Sequence, residues 1–575
     1  MGKSTIAQEL EPLFNPSSVA VIGATNNRNK WGFSTFSSTL NGFSGKVYPV
    51  NTTESEILGH KAFKRVTDIP GVVDLAVFVI PAPNIPFVME DSVAKGVKAS
   101  VIITAGFAET GEEGRKLQDE VVRIAGKGKI RLVGPNCMGY WSASSNLRAF
   151  MFPMPVKDGP LAFVSQGGNV GGAVVTSGYE RGIGFHRFVS CGCTADIQIE
   201  DYIEYFGDDP EVKVILAYIE GLNNGKRFIE KVRQVTKNKP VVALKPGKTE
   251  AAAKAIRSHS GVLAGSNVNY DATFRKAGVI RVETTEELLD VALGFLTQPL
   301  PKGRNVAIVT PGGSYGVLCA DACAYEGLNV IKLPEETISE LDKIFPPRWS
   351  RGNPVDPAGD RNLIAYLTAP EKILRLDEVD SLIFMGFGSF SGFGSMISFL
   401  GSGFSQAFAS AFSSQKELEQ RVSLIAPVLR SGDATEIGKI VRPAVSMFGS
   451  FIGVEDEEEL DDFAQLLTAA IASGEIDTSF LTEAPQPITS RTPKVKDSSC
   501  RMSRLAEGMD PLLGGLILYL IKSYRKPVVT TTFTEGISRL RGSHFAYSSG
   551  PKAARVLIKL VEYKEYLERE GVYRV

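Results

Sequence analysis

The sequence predicts an α/β protein of three consecutive domains, and three observations point to it. Short runs rich in Val, Ile and Phe alternate with stretches of helical length, which is how a parallel sheet joined through helices is written. Gly, Pro and Asn close most of those runs, and a Pro/Gly linker resets the rhythm near residue 300. The chain also has the bulk for several cores, with 575 residues of which 43% are hydrophobic and 22% charged.

The elements follow in order. MGKSTIAQELEPLFNPSS reads as a short lead-in, because it lacks an apolar signal core and its GKST has no glycine-rich loop before it. SVAVIG (18–23), KVYPVN (46–51), LAVFVIPA (75–82), ASVIITAG (99–106) and IRLVGPN (130–136) supply five strands. They define a Rossmann-like domain over residues 1–150. A second series, PLAFVSQGG (160–168), FHRFVSCG (185–192), VKVILAYIEG (212–221), KPVVALKPG (239–247) and GVIRVET (278–284), defines a flavodoxin-like domain over 156–298. After the linker Gln298–Gly303, NVAIVTPGG (305–313) opens a third such domain over 303–575, with KPVVTTTF (526–533) expected as its last strand. An insertion at about 395–510 breaks its β-α rhythm.

Charge and cysteine usage exclude several function classes. A net charge of -1 and a pI near 6.5 give no general attraction to nucleic acid or anionic membrane. The uncharged run Ser381–Gln415 is crowded with Gly and Ser, so it reads as a buried loop and not as a span. The acidic stretch Glu455–Asp462 reads as the favoured charge at a helix N-terminus. Six scattered cysteines, among them Cys191 and Cys193, lack disulfide or zinc spacing, and no metal site is expected. A cytoplasmic location fits best.

Two segments carry chemistry. Gly23-Ala24-Thr25 turns from the first strand toward a helix, where backbone N–H groups hold phosphate. The dinucleotide fingerprint is absent and no acidic residue ends strand two, which disfavours NAD. Of four histidines, His60, His186, His259 and His544, only His259 stands among small flexible neighbours. A neutral imidazole there is a good phosphoryl acceptor with room for the group.

NPSSVAVIGAT, Lys30, Gly32, YPVN, VIPAP and LVGPNCMGY together resemble the CoA-binding domain of the succinyl-CoA synthetase and ADP-forming acetyl-CoA synthetase superfamily. The resemblance puts Gly23, Ala24, Thr25 and Lys30 near CoA phosphates, Ile80, Pro81 and Ala82 at the adenosine, and Asn136 and Cys137 near the thiol. Asn51-Thr52-Thr53 stands where the family commonly has Asn-Pro-Lys, so Asn51 is the contact carried over there. SHSGVLAGS resembles the family's phosphohistidine loop around His259. Glu220 matches the carboxylate that orients the ring, and Ser165, Gln166, Gly167 and Gly168 match the phosphate-binding turn.

VAIVTPGGSYGVLCADAC and Gly352-Asn353-Pro354-Val355-Asp356 resemble the third domain of archaeal-type α subunits. Pro311-Gly312-Gly313 itself reads as a strand-to-helix turn. The resemblance implies an ADP-forming acyl-CoA synthetase α subunit using coenzyme A. An ATP-grasp β subunit, in an α2β2-like assembly, would bind ADP/ATP and Mg2+. A CoA-dependent acyltransferase and a non-catalytic CoA-binding regulator remain as alternatives, and the acyl group is left open.

Overall fold

The computed structural model describes residues 5–252, 267–360, 362–386, 425–452, 454, 456–476, 513–532, 538–539 and 545–573. Two compact units divide the chain, Met1–Ala292 with Tyr566–Arg574, and Leu293–Glu565.

The first unit contains two large sheets. β1 (Ser18–Ile22) and β2 (Lys46–Val50) are followed by a small hairpin of β3 (Glu56–Ile57) and β4 (His60–Lys61), then by β5 (Leu75–Phe78), β6 (Ala99–Ile102) and β7 (Arg131–Val133). The five long strands pair in the parallel order β2-β1-β5-β6-β7. β1, β5 and β6 are buried along their whole length, as strands covered on both faces must be, and this explains their unbroken apolar sequence.

The second sheet has β8 (Gly139–Ser142), β9 (Leu147–Phe150), β10 (Leu161–Ser165), β11 (Phe185–Ser190), β12 (Val214–Tyr218), β13 (Val241–Leu244) and β14 (Ile280–Val282). Its order is β14-β13-β12-β10-β11-β8-β9, a doubly wound parallel core extended by an antiparallel hairpin. The strands at 139–142 and 147–150, which the sequence pattern assigns to the first domain, thus belong to the second sheet. Tyr140 is fully buried there, donating from Oη to the Leu13 carbonyl, and Trp141 Nε1 donates to the Phe185 carbonyl at 2.6 Å.

Ahead of β1, the segment expected as a short lead-in is a helix, Thr5–Phe14. It buries Ile6, Leu10, Leu13 and Phe14, and the Phe14 ring stacks on Tyr205 with centroids 4.5 Å apart. That spacing is one face of a helix.

In the second unit, β15 (Asn305–Val309), β16 (Asn329–Val330), β17 (Ser381–Met385), β18 (Val528–Thr531), β19 (Ser538–Arg539) and β20 (Phe545–Tyr547) pair as β16-β15-β17-β18-β20-β19. KPVVTTTF is therefore not the last strand, because β20 runs parallel beside it and β19 returns antiparallel. Within the insertion, helices Ala434–Ile452 and Glu457–Ala472 join the core of this sheet through Ile437, Val441, Leu460 and Phe463. Asp456 caps the second of them, its carboxylate accepting from the N–H groups of Glu458 and Glu459 at 3.0 and 3.1 Å. Of the uncharged run only Ser381–Gly386 lies among the described residues. No helix among the described residues is long and apolar enough to cross a membrane.

Candidate active site

Open parallel sheets bind ligands beyond the carboxyl ends of their strands, where the strand order reverses. In the first sheet that point lies between β1 and β5, and in the second between β10 and β12. Loops from both reversal points line one cavity of about 760 Å³. Trp31, Val79, Ile80, Pro81, Asn136 and Cys137 come from the first side, with Met138, Gln166, Gly167, Gly168, Tyr218 and Glu220 from the second. Met151 and Ile103 add to its apolar lining.

Asn136 holds a left-handed backbone at φ 56°, and its N–H donates to the Thr104 carbonyl at 2.9 Å. Cys137 follows it, buried at the cavity wall, donating from Sγ to the Ile102 carbonyl at 3.3 Å. Burial pushes this thiol up to about 12, so at neutral pH it is a protonated wall residue.

The second side is built around a turn. Ser165 is buried and its hydroxyl donates to the Gly167 carbonyl at 2.7 Å. Gly167 then caps the helix Gly168–Glu180 without any side-chain bond. The N–H groups of the first helical turn have no acceptor within the helix, and Gly168, Asn169 and Val170 line the cavity. Free N–H groups and a helix dipole of this kind favour an anion. A Cβ on Gly167 would lie 2.9 Å from Tyr218 Cε1 and 3.4 Å from Glu220 Oε1, so a larger residue at the cap would have to displace the Tyr218 ring.

Gln166 behaves differently from the expectation of a phosphate contact. Its backbone N–H donates to the Tyr218 carbonyl at 3.1 Å. Its Oε1 accepts from the N–H groups of Glu220 and Gly221 at 2.6 and 2.9 Å, while Nε2 donates to the Gly221 carbonyl at 3.1 Å. The Oε1 and one Nε2 N–H are thus bonded to protein partners, so the buried carboxamide holds the loop that presents Glu220. The sequence reading missed this role because side-chain to backbone bonds across two loops leave no periodic trace.

Beside Glu220 lies another residue the motifs did not single out. Lys245, directly after β13, is 3% exposed, and its ammonium sits 4.5 Å from the Tyr270 ring centroid. Burial, then the nearby Arg281, pulls it down to about 8, against the opposing pull of Glu220. Tyr270 Oη accepts from the Leu222 N–H at 3.1 Å. His259, between these two flanking residues in sequence, lies outside the described residues.

Gly23, Ala24, Thr25, Lys30, Asn51 and Ala82 are not among the lining residues. At the first turn the Thr25 hydroxyl donates to Glu54 Oε1 at 2.5 Å, and the Asn26 N–H and Nδ2 donate to Glu54 Oε2 at 3.0 and 2.7 Å. These bonds, the one from Thr25 first, lower the Glu54 pKa. An acidic residue therefore does reach this turn, four positions past β2. Asn51 delivers it, accepting on Oδ1 from the N–H groups of Thr53 and Glu54 and donating from Nδ2 to the Ala24 carbonyl.

Comparison with known proteins finds a matching family for each of the three domains. Residues 17–142 match a CoA binding domain, 158–295 a succinyl-CoA ligase like flavodoxin domain, and 306–389 a ligase-CoA domain. The acetate–CoA ligase [ADP-forming] II subunit alpha of Pyrococcus furiosus is 45% identical over 374 residues, covering 65% of this chain and 81% of that one. The chain belongs to the family of ADP-forming acetate–CoA ligase α subunits. A Methanocaldococcus jannaschii family member, acetate–CoA ligase [ADP-forming], is 41% identical over 61% of this chain, which spans about half (49%) of that longer protein. Among solved structures, the dinucleotide forming acetyl-coenzyme A synthetase 1 of Ca. Korarchaeum cryptofilum, in complex with phosphate and ADP, matches with a TM-score of 0.62. Identity is 30%, over 81% of this chain and 97% of that one.

In this ADP-forming ligase α subunit the motif Gly352–Asp356 is structural. Asn353 Oδ1 accepts from the Ile308 N–H at 2.9 Å, and its Nδ2 donates to the Val306 and Ile331 carbonyls at 3.0 and 2.9 Å. It ties β15 to the segment after β16.

Proposed function

We propose that this chain is the α subunit of an ADP-forming acyl-CoA synthetase whose phosphoryl carrier is His259. The observation that carries the reading is the shared cavity, in which the loops of both reversal points meet and the Gly168 helix start opens beside Glu220. The CoA-binding match on the first side and the mixed apolar and polar lining suit a pantetheine arm with its thioester.

In this reading, inorganic phosphate at the Gly167–Gly168 turn attacks the acyl-CoA carbonyl. The C–S bond breaks, the thiolate takes a proton to leave as CoA, and acyl phosphate forms. The His259 imidazole next attacks phosphorus, the carboxylate departs, and ADP on the partner takes the phosphoryl group to become ATP. Glu220 orients the ring and stabilises its positive charge. Gln166 fixes the Glu220 loop, and the helix N–H groups receive charge developing on the phosphoryl oxygens.

We assign nucleotide and Mg2+ to an ATP-grasp β subunit in an α2β2 assembly, and the enzyme to the cytoplasm, where buried free thiols such as Cys137 and Cys191 persist. Acetate, the acid in the names of its relatives, is the first substrate to try. The acyltransferase and regulator alternatives are not favoured by a family of ligases.

Labelling tests the proposal. Acetyl-CoA with radioactive phosphate should place an acid-labile, base-stable label on the full chain before ADP is added, and His259→Ala should abolish it while CoA affinity, read by calorimetry, is unchanged. A His259→Ala chain that still supports ATP formation with its partner would falsify the carrier assignment.

A further inference from the structure

We propose that the Tyr218 hydroxyl is a substrate-binding group, donating a hydrogen bond to an oxygen of the phosphate or acyl phosphate held at the Gly167–Gly168 turn. The inference rests on the phosphoryl-transfer reading above and adds a contact to it. Tyr218 ends β12, and its side chain lines the same cavity as that of Glu220, two residues further on in the loop that follows the strand. Its ring occupies the space next to the turn, as the 2.9 Å separation between Cε1 and a Cβ built on Gly167 records.

The polar side chains at this end of the cavity divide by commitment. Ser165 donates its hydroxyl to the Gly167 carbonyl, and Gln166 binds the Glu220 and Gly221 backbone through Oε1 and one Nε2 N–H. Among the described residues, no hydrogen-bond partner is found for the Tyr218 hydroxyl, and Tyr218 is only half buried. A phosphate here lies near the Glu220 carboxylate, and two anions in one partly desolvated site repel each other. Neutral donors added to the helix N–H groups offset that repulsion, and a phenol supplies one without a further charge. Burial, followed by the Glu220 carboxylate, pushes Tyr218 up to about 12, so the proton stays on the hydroxyl through the neutral range.

The test uses the full chain with acetyl-CoA and inorganic phosphate as probes. Tyr218→Phe keeps the ring against Gly167 and removes only the donor. Loss of one hydrogen bond to a charged oxygen should raise the phosphate KM of labelling by about tenfold and leave the CoA Kd unchanged. A wild-type phosphate KM in Tyr218→Phe overturns the inference, as does a parallel loss of CoA affinity, which marks general damage to the cavity. Should the wild-type chain take no label at all, the phosphoryl reading falls and this inference with it. A labelled wild type with an equally labelled variant removes Tyr218 alone.

Discussion

The second and third sheets begin in the same way and end differently. After β10 the Ser165 hydroxyl donates to the Gly167 carbonyl at 2.7 Å, and after β15 the Thr310 hydroxyl donates to the Gly312 carbonyl at 3.0 Å. Each turn leads into a helix of 13 residues, Gly168–Glu180 and Gly313–Tyr325. In the third sheet Asp356 Oδ2 stands 2.9 Å from where a Cβ on Gly313 would be, so that helix start already faces a carboxylate of its own chain. In the second, the Glu220 carboxylate also stands 3.4 Å from where a Cβ on Gly167 would be, but on a loop clamped by Gln166, and the helix start lines a cavity. A hydroxyl-x-Gly-Gly turn is thus a scaffold that two domains share. What surrounds the helix start decides whether a ligand is admitted.

The sharpest test of this contrast exchanges the two cap glycines for alanine. Gly167→Ala drives a Cβ against the Tyr218 ring and should lower phosphate labelling by about a hundredfold or more, whereas Gly312→Ala meets nothing within 4 Å. The latter should change stability by under about 0.5 kcal/mol, read from denaturant midpoints. Equal effects at the two positions would erase the distinction.

Next in size is Gln166→Ala, which strands two buried N–H groups, those of Glu220 and Gly221. Unsatisfied buried donors cost roughly 1–3 kcal/mol each, so stability should fall by about 3 kcal/mol in chemical denaturation. A loss below about 1 kcal/mol would mean the loop holds its place without the clamp.

The smallest effect concerns pH. In the third domain the perturbed acid is not at the turn but at Glu459, which burial pushes up to about 7 although Asn362 Nδ2 donates to it at 2.7 Å. The folded state here binds a proton that the unfolded chain releases near pH 4.3 (approximately). The stabilisation is therefore complete below about pH 4 and is lost as pH rises through 7. Thermal melts between pH 5 and 8 should show the wild type losing on the order of 2 kcal/mol relative to Glu459→Gln. Parallel pH profiles for the two proteins would count against it.

Much of the architecture was legible because its strands are contiguous apolar runs bounded by Gly or Pro. β1, β5, β10, β12 and β15 fall within the runs read from sequence, and their order follows from doubly wound topology. The hairpin β8–β9 escaped because Gly139–Ser142 mixes Gly and Ser with two aromatics and looks like a turn after GPN. β20 escaped because three residues carry no period. At the site, Ile80, Pro81, Asn136, Cys137, Gly167, Gly168 and Glu220 come together in one cavity, since each follows a strand end that topology brings there. Gly23 and Thr25 are not among that cavity's lining residues; at their turn the Gly23 N–H donates to the Val50 carbonyl and the Thr25 hydroxyl to Glu54, which an Asn51 loop that sequence alone reads as plain polar chain brings there. Tyr218 and Lys245 carried no motif. Their placement depends on which neighbour each strand acquires.

The hairpin has a consequence for dissection of the protein. A cut after residue 150 would leave β8 and β9 without β11, exposing Tyr140, Trp141 and Phe150, and the Thr5–Phe14 helix would lose Tyr205 and Phe206. Such a fragment presents an aromatic-rich edge strand, the kind of template on which chains pair with one another. Both sheets lie in the compact unit of Met1–Ala292 with Tyr566–Arg574, so that unit is expected to melt in a single transition, and a gene split between the first two sheets is expected to yield aggregates in place of two exchangeable modules.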